Sequence, residues 1–184
     1  MRINAGSFKG FSIATRPIPG TRPTSDKLKQ VIFNVLGPAV QGKAVLDLFS
    51  GFGCLGLEAL SRGARRVVFV ESNPRCAKIL QENLSHISGS HDASVMTQDV
   101  FKAIPRLEKQ GEVFDIVLSD APYDKDVHSK LLNTLLQSAI LTEQSLLVFQ
   151  HEKREQLFKI ARAWKILQSY HHGNSSITLF RKET

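Results

Sequence analysis

The fold of this chain is decided by the stretch Ala44-Val45-Leu46-Asp47-Leu48-Phe49-Ser50-Gly51-Phe52-Gly53-Cys54-Leu55-Gly56. Its first part is a short apolar run, which is typical of a strand buried on both faces. Its second part is rich in glycine, which permits a sharp turn and lets a ligand approach the backbone closely. A strand, a glycine-rich turn and a helix in this order are the opening unit of open α/β folds that bind nucleotide-like cofactors.

The chain beyond this stretch repeats the alternation of short apolar runs and helical segments. Strands are predicted at 44–49, 66–70, 93–97, 114–118, 145–150, 165–170 and 176–181, and helices near 54–62, 74–85, 99–109, 127–139 and 152–162. This pattern predicts an α/β fold, a Rossmann-like and mostly parallel sheet with helices on both faces. Because only His171–Ser175 separates the last two strands, they should form an antiparallel hairpin.

Residues 1–43 differ from the rest in pattern and in charge. Arg2–Thr24 alternates loosely and is broken by glycines and prolines, which predicts an irregular β-hairpin or arm, and Ser25–Leu36 has the apolar stripe of a helix. This segment holds seven basic residues and one acidic residue, so it carries +6 of the net charge of +7. We therefore predict two units, a basic arm and helix at 1–43 and a cofactor-binding domain at 44–184. The excess charge indicates an anionic partner, or else a solvated basic face.

Two acidic residues near the glycine-rich turn bear on the cofactor. Glu71 ends the second predicted strand, 20 residues after Gly51, which matches the spacing of a dinucleotide-binding fingerprint and keeps an NAD-dependent dehydrogenase as an alternative. Asp47 lies within the first strand. A carboxylate there suits a cofactor with ammonium and sulfonium charges better than one with a pyrophosphate.

A second motif, Ser119-Asp120-Ala121-Pro122-Tyr123, follows the fourth predicted strand. It resembles the Asp/Asn-Pro-Pro-Tyr/Phe motif of amino-group methyltransferases, and the stretch from Asp47 resembles the first motif of class I methyltransferases. The stretches Gly20–Lys27, Phe33-Asn34 and Leu57–Ala64 extend the likeness. On these residues the chain resembles the RsmD-like family, the bacterial 16S ribosomal RNA guanine-N2-methyltransferases of the small subunit.

The resemblance implies S-adenosylmethionine as the cofactor and a set of site residues, with no metal. The catalytic residues would be Asp120, Ala121, Pro122 and Tyr123, and the cofactor would be bound by Asp47, Phe49, Ser50, Gly51, Gly53, Glu71, Ser72, Asp99, Val100 and Asp120. Glu71 would bind the ribose hydroxyls and Asp99 the adenine amine. Each of these two acids could instead cap the helix that follows it.

The chemistry of the second motif follows from its groups. An exocyclic amine on a base is a poor nucleophile, because its lone pair is delocalised into the ring. Asp120 could accept one amine hydrogen and the carbonyl oxygen of Ala121 the other, while Tyr123 stacks on the base, which is worth about 1–3 kcal/mol. The family usually has proline in place of Ala121, but a residue before proline is still biased toward an extended backbone.

The resemblance also implies the substrate, a guanine in a small-subunit ribosomal RNA hairpin loop within an assembling 30S particle. Phosphate contacts are predicted for Arg2, Lys9, Arg16 and Arg22. Alternatives are a DNA amino-methyltransferase, a protein glutamine methyltransferase and a noncatalytic module that binds the cofactor and RNA. No segment reads as a signal peptide or as a span of about 20 apolar residues, so a soluble, cytoplasmic protein is expected. We also expect a monomer.

Overall fold

The computed structural model describes residues 1–18, 26–87, 92–122, 125–152 and 164–182. The strands are β1 (Ala44–Leu48), β2 (Arg66–Glu71), β3 (Asp92–Thr97), β4 (Phe114–Ser119), β5 (Leu141–Glu152), β6 (Trp164–His172) and β7 (Ser175–Lys182). The helices are α1 (Asp26–Leu36), α2 (Cys54–Ser61), α3 (Pro74–Ser85), α4 (Val100–Lys109) and α5 (Lys125–Gln137), and a 3-10 turn (Gly37–Val40) follows α1. The helix predicted at 152–162 falls almost entirely outside the described residues.

The seven strands form one sheet in the order β3-β2-β1-β4-β5-β7-β6. The pairs β3–β2, β2–β1, β1–β4 and β4–β5 are parallel, whereas β7 runs antiparallel to both β5 and β6. The fold class predicted from the sequence is confirmed, including the antiparallel hairpin at the C-terminal end. The hairpin's connection is shorter than predicted, because β6 continues through His172 and β7 begins at Ser175.

The central strands are buried on both faces, as their unbroken apolar runs predict. Alternate residues of β1 face opposite sides: Val45 packs with α1, α2 and α3, whereas Leu46 and Leu48 pack with α4 and α5. Each face is closed by the apolar stripe of its helices, for example Leu57 and Leu80 on one side. Full burial of such side chains stabilises the fold by about 1.5–3 kcal/mol each.

The order of the strands reverses direction at β1. The chain moves from β1 outward to β2 and β3, and then returns to the other side of β1 to form β4. Connections that leave adjacent strands in opposite directions open a crevice at the carboxyl edge of the sheet, which is where open α/β folds bind ligands. Both sequence motifs, after β1 and after β4, end at this crevice.

The first 18 residues form an arm that lies against the sheet domain. Arg2 and Ser12 make an isolated antiparallel bridge, in agreement with the irregular hairpin predicted. The arm contributes Ile3 and Ile13, both almost fully buried, to the same apolar cluster as α1, α2 and α3. The division of the chain at residue 43 stays a prediction, but the arm and the sheet share one core on this face. Within the described residues, no helix is long and apolar enough to cross a membrane.

Candidate active site

The turn after β1 has a backbone that side chains rarely adopt. Phe49 has φ of 58°, the only positive φ of a non-glycine residue in the described part of the chain, and Gly51 and Gly53 have φ of 55° and 86°. A Cβ on Gly53 would lie 2.2 Å from Cδ1 of Leu80, so the turn packs directly on α3. A Cβ on Gly51 would meet no atom within 4 Å. The strained turn therefore presents open space at Gly51, and backbone strain of this kind is concentrated at functional sites.

Ser50 fastens the turn to the neighbouring strand. Its backbone N–H donates to the carbonyl oxygen of Val70 at 3.0 Å, and its Oγ accepts from the N–H of Val70 at 3.0 Å. Both groups are buried, so these bonds hold the carboxyl ends of β1 and β2 in a fixed relation. The serine thus serves the geometry of the turn directly.

Glu71 joins the same two strand ends through its carboxylate. One oxygen accepts from the N–H of Gly51 at 2.8 Å and the other from the N–H of Asn73 at 2.7 Å. The cap of α3 is Asn73, whose side chain accepts from the N–H of Arg75, so Glu71 does not cap that helix. Because each carboxylate oxygen has a further lone pair, Glu71 can also accept from ligand hydroxyls. Ser72, next to it, is exposed.

Asp47 is buried at the centre of the site and accepts from the N–H of Gly56 on α2 at 2.8 Å. Burial raises the pKa of its carboxyl from 3.8 to about 8; the hydrogen bond from Gly56 lowers that pKa, and the nearby carboxylates of Asp120 and Glu71 raise it. A Cβ on Gly56 would lie 2.9 Å from Oδ2 of Asp47 and 2.2 Å from Cε1 of Phe69. Glycine at this position lets α2 approach the carboxylate.

The second motif begins where β4 ends. Ser119, the last residue of β4, pairs with Leu48 of β1 and Phe149 of β5, so Asp120 emerges beside the turn after β1. Asp120 is half-buried and Ala121 is buried, whereas Pro122 is exposed. Tyr123 lies outside the described residues. The structure thus brings Asp47, Glu71 and Asp120 together at the ends of three neighbouring strands, where the carboxylates of Asp120 and Glu71 raise the pKa of Asp47.

This cluster of carboxylates fits a cationic cofactor. Burial and the neighbouring acids favour the protonated form of Asp47 in the empty crevice, whereas a ligand with ammonium and sulfonium charges favours the ionised carboxylate. A pyrophosphate would instead add negative charge beside these acids, which argues against the dehydrogenase alternative. In the described part of the chain, no group of three His, Cys, Asp or Glu residues could hold a metal ion.

Asp99 and Val100 stand where α4 begins. The Oδ1 atom of Asp99 accepts from the N–H of Phe101 at 3.0 Å, so this acid does cap its helix. Its side chain is exposed and its second oxygen is left for a further donor. The side chain of Val100 packs in the core, but its amide belongs to the first turn, where amides have no intrahelical partner.

Three polar residues that fasten the arm were not singled out in the sequence. Glu58 on α2 accepts from the amides of Asn4 at 2.7 Å and Ala5 at 3.1 Å, Ser61 Oγ accepts from the amide of Phe8 at 2.9 Å, and Asn83 on α3 bonds to Ala14. Charged and polar helix residues usually face solvent, so no sequence signal marks them as buried. Glu58 also pairs with the fully buried Lys29, whose ammonium donates to the carbonyl oxygen of Arg2.

Of the four residues predicted to contact phosphate, three can be placed in the structure. Arg2, Lys9 and Arg16 are exposed and make no ion pair within the described ranges, whereas Arg22 lies outside them. Lys29 contributes to the basic charge of the first 43 residues but not to their surface, because it is buried against Glu58.

Comparisons with known proteins extend these observations. A family model described as "Conserved hypothetical protein 95" matches residues 1–181. Proteins named "Ribosomal RNA small subunit methyltransferase D" are 31% identical over 182 residues in Haemophilus influenzae, covering 98% of this chain and 93% of that one, and 28% identical over 183 residues in Escherichia coli, covering 100% and 90%.

Solved structures agree with this result. The structure of an Escherichia coli protein provisionally described as a methyltransferase has a TM-score of 0.85 and 25% identity, and the comparison covers 100% of this chain and 98% of that one. A methyltransferase-like structure in complex with S-adenosylhomocysteine has a TM-score of 0.72 over 83% of this chain and 48% of its own. At 17% identity, that second likeness concerns the fold alone.

The sheet order and the turn after β1, together with the methyltransferase relatives, place the chain among the class I methyltransferases, which use S-adenosylmethionine. Within that class, the chain belongs to the RsmD-type family of methyltransferases, whose model spans residues 1–181. The family assignment and the cofactor predicted from the sequence are both confirmed. The individual roles of the site residues stay predictions.

Proposed function

We propose that this protein transfers a methyl group from S-adenosylmethionine to the N2 amine of a guanine in small-subunit ribosomal RNA. The observation that carries the proposal is the position of Asp120 and Ala121 at the end of β4, beside the carboxylate cluster of β1 and β2. The names of the relatives, which refer to ribosomal RNA of the small subunit, support the substrate class.

The cofactor fits along the ends of β1, β2 and β3. The open space at Gly51 would admit it, Glu71 would accept from the ribose hydroxyls, and Asp99 with the amide of Val100 would meet the adenine edge. Asp47, ionised once the cofactor is bound, and Asp120 would hold the cationic end beside the motif that follows β4.

The residues after β4 position the amine. Asp120 accepts one hydrogen of the exocyclic amine, and the carbonyl oxygen of Ala121 accepts the other. Both acceptors together draw the nitrogen toward a tetrahedral geometry and aim its lone pair at the methyl carbon. S-adenosylmethionine, when bound, would supply the methyl group as its carbon–sulfur bond breaks and the nitrogen–carbon bond forms, and it would leave as S-adenosylhomocysteine. Asp120 or water would take the amine proton. Positioning supplies most of the rate.

The basic arm supplies affinity for the RNA. Arg2, Lys9 and Arg16 are exposed on a segment that is fastened to α2 and α3, the two helices next to the cofactor turn. A guanine in a hairpin loop can be turned out at lower free energy than a paired one, so phosphate contacts around a loop suit this chemistry. We propose an assembling small subunit as the natural substrate, and a monomeric enzyme.

The decisive experiment is transfer of labelled methyl from S-adenosylmethionine to small ribosomal subunits that lack this modification, followed by nucleoside analysis. We expect N2-methylguanosine at one position. Asp120→Ala should lower kcat by about 10²–10³-fold, since it removes one of the two groups that orient the amine. Glu143→Ala, which removes an exposed carboxylate near the start of β5 and outside the predicted site, is the matched comparison. Methylated adenosine, or methyl transfer to DNA in preference to RNA, would contradict the proposed substrate.

A further inference from the structure

The amide side chain of Asn83 connects three segments of the molecule. It lies on α3 with only 2% of its surface exposed. Its Oδ1 accepts from the N–H of Ala14 at 2.9 Å, and its Nδ2 donates to the carbonyl oxygens of Ala14 and Phe52, both at 3.1 Å. One side chain thus fixes the arm through Ala14 and the cofactor turn through Phe52.

The contacts around Asn83 make this connection stiff. Gly53, the residue after Phe52, packs so closely on Leu80 of α3 that a Cβ would lie 2.2 Å from that side chain. Leu80 and Asn83 are one helical turn apart on the same buried face of α3. A displacement of the turn is therefore transmitted to α3 and, through the Asn83 amide, to the arm, because close-packed interiors deform very little.

The other end of the arm has a matching support. Gly56 of α2 donates to Asp47 in the site, and Glu58 and Ser61 of the same helix hold the amides of Asn4, Ala5 and Phe8. The arm consequently rests on two helices, each of which also contacts the cofactor turn or the buried carboxylate. Among the described contacts, only the Asn83 side chain bonds to both the arm and the turn.

We infer that Asn83 is a positioning residue that couples occupancy of the cofactor site to the placement of the basic arm. This inference rests on the proposed binding of cofactor at the turn and of RNA at the arm. Cofactor against the Gly51–Gly53 turn holds Phe52 in place, Phe52 holds the Asn83 amide, and the amide holds Ala14. Couplings of this kind change an affinity by about 5–150-fold.

Asn83→Asp is the sharpest test, because it keeps an oxygen for the amide of Ala14 but removes both donors, including the one to Phe52. The first readout is hydrogen exchange at the Ala14 amide with and without S-adenosylhomocysteine, which needs no RNA. In the wild-type protein we expect the ligand to slow this exchange about fivefold or more. In Asn83→Asp the ligand should bind with a Kd within about threefold of wild type and leave the exchange at Ala14 unchanged.

The second readout is steady-state kinetics on RNA. We expect Asn83→Asp to raise the KM for RNA about 5–10-fold at nearly constant kcat. Asn83→Ala serves as a second variant in case the aspartate unfolds the chain, and Gln81→Ala, an exposed change on the same helix, is the matched control. A purely structural role would lower stability without altering the response of Ala14 to the ligand.

Three results would overturn the inference. The first is that the ligand leaves hydrogen exchange at Ala14 unchanged in the wild-type protein, and the second is that it slows this exchange as much in both Asn83 variants as in the wild type. The third result is that Gln81→Ala abolishes the effect of the ligand on this exchange as fully as the Asn83 variants do. Failure of the proposed function looks different. If the wild-type protein binds the ligand and slows exchange at Ala14 but methylates no RNA, the proposed substrate is wrong and the coupling stands.

Discussion

The ionisation of Asp47 should govern how the stability of the cofactor-free protein depends on pH. Burial raises the pKa of its carboxyl to about 8, so the folded chain holds a proton there that the unfolded chain releases near pH 4. Between these values the folded state binds more protons, and the unfolding free energy therefore falls as the pH rises. Without cofactor the folded chain favours the protonated form of Asp47, whereas a bound cationic cofactor favours its ionised form.

We predict that the affinity for S-adenosylmethionine rises between pH 6 and pH 7.5, by up to about tenfold per pH unit, as the proton on Asp47 is displaced. Asp47→Asn should remove this rise, weaken binding above pH 7, and make the cofactor-free protein less sensitive to pH between 5 and 8. Calorimetric titrations at several pH values, together with urea unfolding, measure both effects.

The Asp47→Asn variant also shows how much of the pH dependence comes from the cofactor itself, because the α-amino group of S-adenosylmethionine titrates near the upper end of this range. Any pH dependence that remains in Asp47→Asn belongs to that amine. If the wild-type affinity were flat across the range, Asp47 would be ionised already in the free protein.

At the scale of the elements, the seating of the arm on α2 depends on Gly6. This glycine has φ of 84°, and a Cβ there would lie 1.7 Å from the carbonyl oxygen of Ser61. Gly10 in the same arm has a similar φ of 89° but no atom within 4 Å of its Cβ position. Both glycines therefore have a positive φ, but only at Gly6 would an added Cβ also clash with α2.

We predict that Gly10→Ala costs about 1 kcal/mol of unfolding free energy, from backbone conformation alone, and that Gly6→Ala costs about 2–4 kcal/mol because the clash with Ser61 adds to it. Urea unfolding of both variants gives the comparison. Equal losses would mean that the arm is not seated on α2 as described.

The elements themselves were largely predictable. The apolar runs of β1, β2 and β4 are buried on both faces, and their shortness favours a strand over a buried helix. The early part of β5 was not predicted, because Thr142, Glu143 and Gln144 are polar and exposed. These residues lie in an irregular stretch between two paired positions, since Leu141 pairs with Phe114 and Leu146 with Ile116, and the register shifts between them.

The site was predictable only where it coincides with motifs. The turn after β1 and the residues after β4 lie together at the crevice, as their positions after parallel strands predict. Glu58, Ser61 and Asn83 could not be found this way, because their burial comes from contact with the arm, at separations of 53–69 residues along the chain. Local sequence carries no information about such distant contacts.

For the molecule as a whole, the distribution of charge has a measurable consequence. The first 43 residues carry +6 of the +7 net charge, and their exposed members include Arg2, Lys9 and Arg16. Each phosphate contact that is lost should reduce the salt slope of single-stranded RNA binding by about 0.7.

We predict that a combined Lys9→Gln and Arg16→Gln variant reduces that slope by about twice this amount and leaves the Kd for S-adenosylhomocysteine unchanged. Lys109→Gln is the matched control, since Lys109 is exposed at the end of α4, which leads away from the carboxyl edge. Binding isotherms over a range of potassium chloride concentrations provide the slopes. An identical slope for all three proteins would place the RNA on another surface.

The distant seating of the arm also has a consequence for biosynthesis. The arm emerges from the ribosome well before Glu58, Ser61 and Asn83, which lie 53–69 residues further along and provide its hydrogen-bond partners. Until α2 and α3 have been synthesised and folded, the nascent basic segment lacks these hydrogen-bond partners, because contacts of large sequence separation form only after the intervening chain is available. The nascent chain therefore acquires its arranged basic surface only after the strand–turn–helix unit of the cofactor site has been made.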